Sequence, residues 1–198
     1  MTARRGMLVD AIRYALSAAR LATPQRLPLP TPCPGWDLRA LLRHAGDSMD
    51  VLSAALATGF AGAETVPAAG DGGCRGELSP VADLSQRAVT LLCACALAGC
   101  GERRVAVGDR ELTTSLVTMA GAVEIAVHGW DISVTCGGGP IPAALARDLL
   151  PVAALLAPPG GRAGLFASPV DVAERASPGD RLVAFLGRQP RPPGPAAR

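Results

Sequence analysis

Apolar residues recur every three or four positions along most of the chain, which is the period of a helix with one buried face. Leu8, Ile12, Ala15 and Ala19 show this period near the amino terminus. The pattern predicts helices at about 7–22, 38–57, 79–97, 113–135 and 142–157, and a last short one at 180–188. Together these segments favour an all-α protein.

Polar residues, glycines and prolines mark where these helices begin and end. Asp37 is placed to cap the second helix, and Thr113 or Thr114 to cap the fourth. The run "CGGGP" ends the fourth helix firmly. Pro151 falls inside the fifth segment, where we expect it to kink or break the helix.

Two connections complete the predicted topology. Residues 59–76 are rich in glycine and polar residues and form a long crossover between helices two and three, while "RRVAV" is predicted to be a short strand or an extended turn. The expected fold is a four-helix bundle with this crossover and a short C-terminal extension. We expect one domain over 1–190, followed by a Pro-rich, disordered tail at 191–198.

The composition narrows the class of protein. Apolar residues make up 49% of the chain but aromatic residues only 3%, which favours close-packed helices over a sandwich or barrel. The net charge is +2, and no basic stripe indicates a nucleic-acid partner. All 19 basic residues are arginine, a bias typical of GC-rich actinobacterial genes.

The amino terminus and the cysteines indicate a cytoplasmic protein. Asp10, Arg13 and Arg20 interrupt the first apolar stretch, so it is not a signal peptide, and no run reaches the ~18 apolar residues of a membrane span. The six cysteines form no C-x-x-C pair. Those in "LLCACALAGC" are most simply small buried apolar residues, and disulfides are not expected in a reducing compartment.

Polar side chains follow one face of the very apolar fourth helix. Glu124 and His128 are four positions apart and Asp131 is three further on, so all three lie on the same side. Since an unpaired buried carboxylate is costly, this face needs a partner. The second histidine, His44, lies on the predicted second helix and can approach across the bundle.

These residues suggest a site for a divalent metal. Two histidines and one glutamate suit zinc with one coordination position open, and nickel, iron(II) or manganese accept the same ligands. The spacing alone also fits a simple alternative, in which Glu124 and His128 form only a hydrogen bond or a surface contact.

Three stretches resemble one known family. "TPCPGWDLRALLRHAG" and "EIAVHGWDISVT" resemble two motifs of the mycothiol-dependent maleylpyruvate isomerase family, within the DinB-like superfamily, and "SPGDRLVAFLGRQP" is similar to the close of its short actinobacterial members. The resemblance implies a four-helix bundle whose metal ligands are His44, Glu124 and His128. It also implies an active-site role for Asp131.

The same motifs contain three further residues whose roles we expect to be structural. Trp36 and Trp130 are expected to pack on or next to the metal ligands. Cys33 precedes the helix that carries His44, and we expect a packed cysteine in a Pro-rich turn rather than a fourth ligand.

The resemblance implies a thiol-dependent enzyme. Mycothiol would bind at the open metal position as a thiolate and attack a small electrophile, in an S-transferase or a thiol-assisted isomerase, with Asp131 orienting the thiol or moving a proton. Two alternatives keep the metal: a thiol-independent hydrolase or lyase, and a non-catalytic metal-binding protein. The partners would be small molecules, and a homodimer is plausible.

One departure from the family concerns an arginine. The isomerase carries a further C-terminal domain that contributes an active-site arginine, and we expect this chain to be too short for that domain. Arg181 and Arg188 are candidate replacements.

Overall fold

The computed structural model describes residues 3–61, 79–98, 102–107, 110–158 and 166–190. In these ranges the chain is mostly helical, with a small three-stranded sheet. The α-helices are α1 (Ala3–Ala19), α2 (Leu38–Thr58), α3 (Pro80–Leu97), α4 (Thr114–Thr135), α5 (Ala143–Leu156) and α6 (Pro178–Phe185). The strands are β1 (Phe60–Ala61), β2 (Arg104–Val107) and β3 (Arg110–Thr113), and Pro24–Arg26 form a 3-10 helix.

The helix starts follow the predicted capping residues. The side chain of Asp37 accepts a hydrogen bond of 2.8 Å from the backbone N–H of Ala40 and caps α2. Thr113 caps α4 in the same way through the N–H of Leu116. Each side chain satisfies a backbone donor that the first helical turn leaves without a partner.

Two details of the predicted elements need correction. Pro151 does not break the fifth helix, because α5 continues past it to Leu156. The chain also forms a sheet that the sequence pattern did not predict, in which β1 pairs with β2 in parallel and β2 pairs with β3 antiparallel. Of the two predicted conformations for "RRVAV", the structure contains the strand.

Helix α4 lies at the centre of the packing. Helices α1, α2 and α5 all contact it, and α3 packs against α2 and α1. Residues on every side of α4 are buried, as expected for a helix that has neighbours all round. The predicted crossover falls largely in 62–78 and the predicted tail in 191–198, both outside the described residues.

Helices α1 and α4 come close together at Gly129 of α4. A Cβ atom at this position would lie 3.0 Å from the Cα atom of Ala15 and 3.1 Å from its Cβ atom. Glycine at this position, next to His128, therefore allows α1 to approach α4 more closely than a larger residue would without a shift of the neighbouring helix.

Within the described ranges, no helix is both long and apolar enough to cross a membrane.

Candidate metal centre

Helices α2 and α4 bring two histidines and one glutamate together. Oε1 of Glu124 lies 3.1 Å from Nε2 of His44 and 3.1 Å from Nε2 of His128. The three atoms all lie within 4.8 Å of one another. Ser48, one turn after His44, donates a hydrogen bond of 3.3 Å to the same glutamate oxygen.

The spacing of these atoms fits a divalent metal. Ligands about 2.0–2.1 Å from a tetrahedral zinc ion are separated from one another by about 3.3 Å. The two nitrogen–oxygen distances of 3.1 Å are close to that edge length. The donor set of two imidazole nitrogens and one carboxylate oxygen is also typical of catalytic zinc, which keeps a fourth position for water or substrate.

Asp131 holds His128 in the orientation that such a site needs. Its Oδ2 atom lies 3.0 Å from Nδ1 of His128, on the side of the ring opposite Glu124. A proton on Nδ1 that is shared with this carboxylate leaves Nε2 as the nitrogen able to bind a metal. The side chain of Asp131 is fully buried, so its charge also needs a cation nearby.

Arg188 supplies that cation. Its Nη2 donates to Oδ2 of Asp131 at 3.0 Å, and its Nε donates to Oδ1 at 3.4 Å. A third nitrogen, Nη1, donates to the carbonyl oxygen of Leu186. The guanidinium therefore donates hydrogen bonds to both carboxylate oxygens at once, which fixes the plane of the carboxylate as well as its position.

The end of α6 explains how Arg188 reaches the core. The N–H of Gly187 bonds to the carbonyl of Ala184, and the N–H of Arg188 bonds to the carbonyl of Val183. These two bonds form a Schellman motif, in which the residue after the helix takes a left-handed conformation. Gly187 has φ +84° and lies against the backbone of Ala167, so a side chain is excluded on both grounds.

Hydrogen bonds within the cluster stabilise the charged forms of Glu124 and His128. Burial opposes ionisation of Glu124, but hydrogen bonds from His128 and His44 hold its pKa well below the usual range. Burial also opposes charge on His128, yet hydrogen bonds to Asp131, Cys33 and Glu124 outweigh it and raise its pKa to about 11. In the absence of a metal, these hydrogen bonds therefore favour an imidazole of His128 that is protonated on both nitrogens. A metal at Nε2 would replace the proton on that nitrogen, while the proton on Nδ1 stays with Asp131.

Cys33 and Trp36 come from the loop that precedes α2. Sγ of Cys33 donates to Oδ2 of Asp131 at 3.3 Å and lies 3.9 Å from Nδ1 of His128. The ring of Trp36 lies 4.6 Å from that of His44 and 6.4 Å from that of His128, measured between centroids. The loop thus covers the imidazoles on the side of Asp131, and Cys33 contacts the residue that orients His128.

A cavity of about 550 Å³ opens beside the cluster. His44, Glu124, Asp47, Ser48 and Arg188 provide its polar wall. The rest of the described lining is aliphatic or aromatic, apart from one glycine, and comes from α2, α4 and the segments after α4. This volume is in the range of small-molecule binding sites, so two of the three candidate metal ligands, His44 and Glu124, border a space large enough for a substrate.

The structure thus brings all four residues of the predicted site into one cluster, with His44 and Glu124 facing the cavity and Asp131 behind His128. The structure also shows which of the two candidate arginines lies at the site. Arg188 joins the cluster, whereas Arg181 is exposed and bonds to the carbonyl oxygens of Ala176 and Glu174. The helical period identified Glu124, His128 and Asp131, but no local pattern could show which arginine folds back onto them.

The fold and the cluster together define the class of protein. It is a helical protein whose His–Glu–His cluster lies beside a cavity large enough for a small molecule. The chain belongs to the mycothiol maleylpyruvate isomerase N-terminal domain family, whose model matches residues 8–133. The match spans the first motif, all but the last two residues of the second, and all four clustered residues of α2 and α4, and it ends before α5, α6 and Arg188. A search of curated proteins and a search of solved structures found no match to the chain.

Proposed function

We propose that this protein is a metal-dependent enzyme that joins a low-molecular-weight thiol, mycothiol, to a small electrophile or uses the thiol to isomerise it. One observation carries the proposal: the carboxylate of Glu124 and the Nε2 atoms of His44 and His128 converge, and His44 and Glu124 line a cavity of substrate size. The family match supports the thiol, since mycothiol is part of the family's description.

His44, Glu124 and His128 would hold the metal, for which zinc is the first candidate. When bound there, a divalent metal would lower the pKa of a thiol so that the thiolate is present at neutral pH. Ser48 would keep the carboxylate of Glu124 in place through its hydrogen bond. Asp131 would act as a positioning residue for His128, because it is fully buried and does not face the cavity.

The reaction needs no further reactant. In an addition, the S–H bond breaks, a bond forms between sulfur and an electrophilic carbon, and the proton ends on the substrate. The apolar part of the cavity wall would exclude water, which otherwise competes with the thiol as nucleophile.

We also propose that the unit is a four-helix bundle with a long crossover that extends to residue 190, since Leu156 at the end of α5 and Leu186 and Arg188 just after α6 line its cavity.

The proposal is tested by measuring turnover of an enone and an epoxide by the metal-loaded protein, with and without mycothiol. We expect thiol to be consumed in step with the electrophile, and Glu124→Gln to lower the rate by about 10²-fold or more. Conversion at an undiminished rate without any thiol would instead show a metal-dependent hydrolase or lyase. No conversion of any electrophile by a fully metal-loaded protein would favour a non-catalytic metal-binding protein.

A further inference from the structure

We infer that the electrophile is a molecule with an extended apolar body, such as an enone or an epoxide that carries an alkyl or aryl group, rather than a small dicarboxylic acid. The inference rests on the proposed function for the reaction and on the cavity for the class of substrate. Its basis is the distribution of polar and apolar side chains along the cavity and the pairing of the charged ones.

The polar and apolar walls are separated along α2. His44, Asp47 and Ser48 line the cavity in two successive turns, and Val51 and Leu52 line it in the next. From His44 to Leu52 the helix rises about 12 Å. A substrate whose reactive carbon lies at the metal ligands can therefore extend along an apolar surface for the length of several methylene groups.

The other walls continue this apolar surface. Helix α4 contributes Val123 and Val127, and the chain after the family domain contributes Leu156, Phe166 and Leu186. On α4, Gly121 faces Leu52, and a Cβ atom there would lie 2.5 Å from a methyl carbon of that leucine. The two helices thus meet closely at this end of the cavity, which sets a limit to the length of the apolar body.

The charged side chains of the lining are already paired within the protein. The guanidinium of Arg188 is bonded to Asp131 and to the carbonyl oxygen of Leu186. Oδ1 of Asp47 accepts a hydrogen bond of 3.0 Å from Arg87. A dicarboxylate would have to compete with the fully buried Asp131 for the guanidinium, and its second charge would face the apolar wall.

The apolar wall favours long substrates by a predictable amount. Each buried methylene group contributes about 0.8 kcal/mol, which corresponds to about a fourfold change in affinity. Affinity should therefore rise along a homologous series until the apolar body reaches the end where Leu52 meets Gly121.

The test measures binding of unreactive methyl ketones, from butanone to nonan-2-one, to the wild-type protein by calorimetry. We expect the Kd to fall about fourfold per methylene group over most of the series. We also expect maleate to bind more weakly than the longer ketones. A Kd that does not change with chain length, or maleate binding more tightly than every ketone, would overturn the inference.

A pair of variants tests whether the dependence of affinity on chain length arises in the cavity. Val51→Asn places an amide on the apolar wall, and we expect it to weaken binding of the longest ketone by about tenfold or more and that of butanone little. Val89→Asn is the matched control, because Val89 lies on α3, is 53% exposed and is absent from the described lining. Equal effects of the two substitutions would contradict the inference.

The result of the binding test can be distinguished from the result of the turnover test of the proposed function, because ketone binding requires neither metal nor thiol. Chain-length-dependent binding without any thiol turnover would support the apolar subsite and overturn the proposed reaction. Thiol turnover with no dependence on chain length would support the reaction and overturn the subsite.

Discussion

Arg188 and Asp131 form an ion pair in the interior of the protein, 57 positions apart in the chain. Nη2 and Oδ2 are 3.0 Å apart, and the two side chains are 19% and 0% exposed. Asp131 lies at the end of the family match, and Arg188 lies well beyond it. The pair therefore connects the C-terminal segment to the helix that carries Glu124 and His128.

The ion pair predicts a large loss of stability when its cation is removed. Arg188→Gln leaves the buried carboxylate of Asp131 without its guanidinium, and we expect the free energy of unfolding to fall by about 3 kcal/mol. Urea denaturation at neutral pH measures this change. Arg181→Gln on the exposed side of α6 is the control and should change stability by no more than about 0.5 kcal/mol. Equal losses for both variants would contradict the assigned role.

Asp131 should also affect metal binding without touching the metal. In Asp131→Asn the amide can donate to Nδ1 of His128, which moves the ring proton to Nε2, the nitrogen meant for the metal. We expect the metal affinity to fall about 10–100-fold, measured by competition with a chelating dye. Asp148→Asn on the exposed side of α5 provides the comparison, and an affinity equal to that of this control would argue against the orienting role.

The helices could be predicted because local patterns determine them. The capping residues Asp37 and Thr113 and the spacing of apolar residues placed the starts of α2 and α4 at the observed residues. Of the two effects expected of Pro151, the break does not occur, because packing of α5 on α4 and α6 outweighs the one backbone hydrogen bond that proline removes.

The sheet and the long-range part of the site could not be predicted in the same way. Strand β1 has two residues and pairs with β2 more than forty positions later, so it carries no period of its own. The contact of Arg188 with Asp131 depends on the turn at Gly187 and on how α6 docks. Such relationships arise from tertiary packing, whereas Glu124 and His128 share one helix face and could be recognised from spacing.

The close approach of α1 to α4 gives a third prediction. Gly129→Ala introduces a Cβ atom against the backbone of Ala15, and overpacking of this kind costs about 1–3 kcal/mol, more than the gain in helix propensity. Gly6→Ala in α1 meets no atom within 4 Å and should leave stability unchanged or raise it by up to about 1 kcal/mol. Thermal unfolding of the two variants checks the difference, and a stabilised Gly129→Ala variant would contradict the packing.

The single tyrosine of the chain gives a prediction for alkaline pH. Burial, which outweighs a hydrogen bond with Ser133, raises the pKa of Tyr14 from 10.0 to about 12. Because the folded state disfavours the phenolate, the contribution of Tyr14 to stability is present below pH 10.0 and is lost as the pH rises to about 12.

Phenolate absorbance reports Tyr14 alone, and circular dichroism recorded in parallel shows whether the helices are intact. We expect ionisation near pH 12 in the folded protein and near 10.0 in urea. Phenolate formation near pH 10.0 with the helices intact would show that the phenol is not held in the interior.

His44, Glu124 and His128 are proposed to bind one divalent metal. Elemental mass spectrometry of the protein, after reconstitution with zinc, nickel, iron(II) or manganese, tests it most directly beside Glu124→Gln and the exposed control Glu111→Gln. We expect about one ion per chain in the wild type and in the control, and a loss of about tenfold or more in metal affinity in Glu124→Gln. A wild-type protein that binds none of these ions, or a Glu124→Gln variant that binds them equally well, would contradict it.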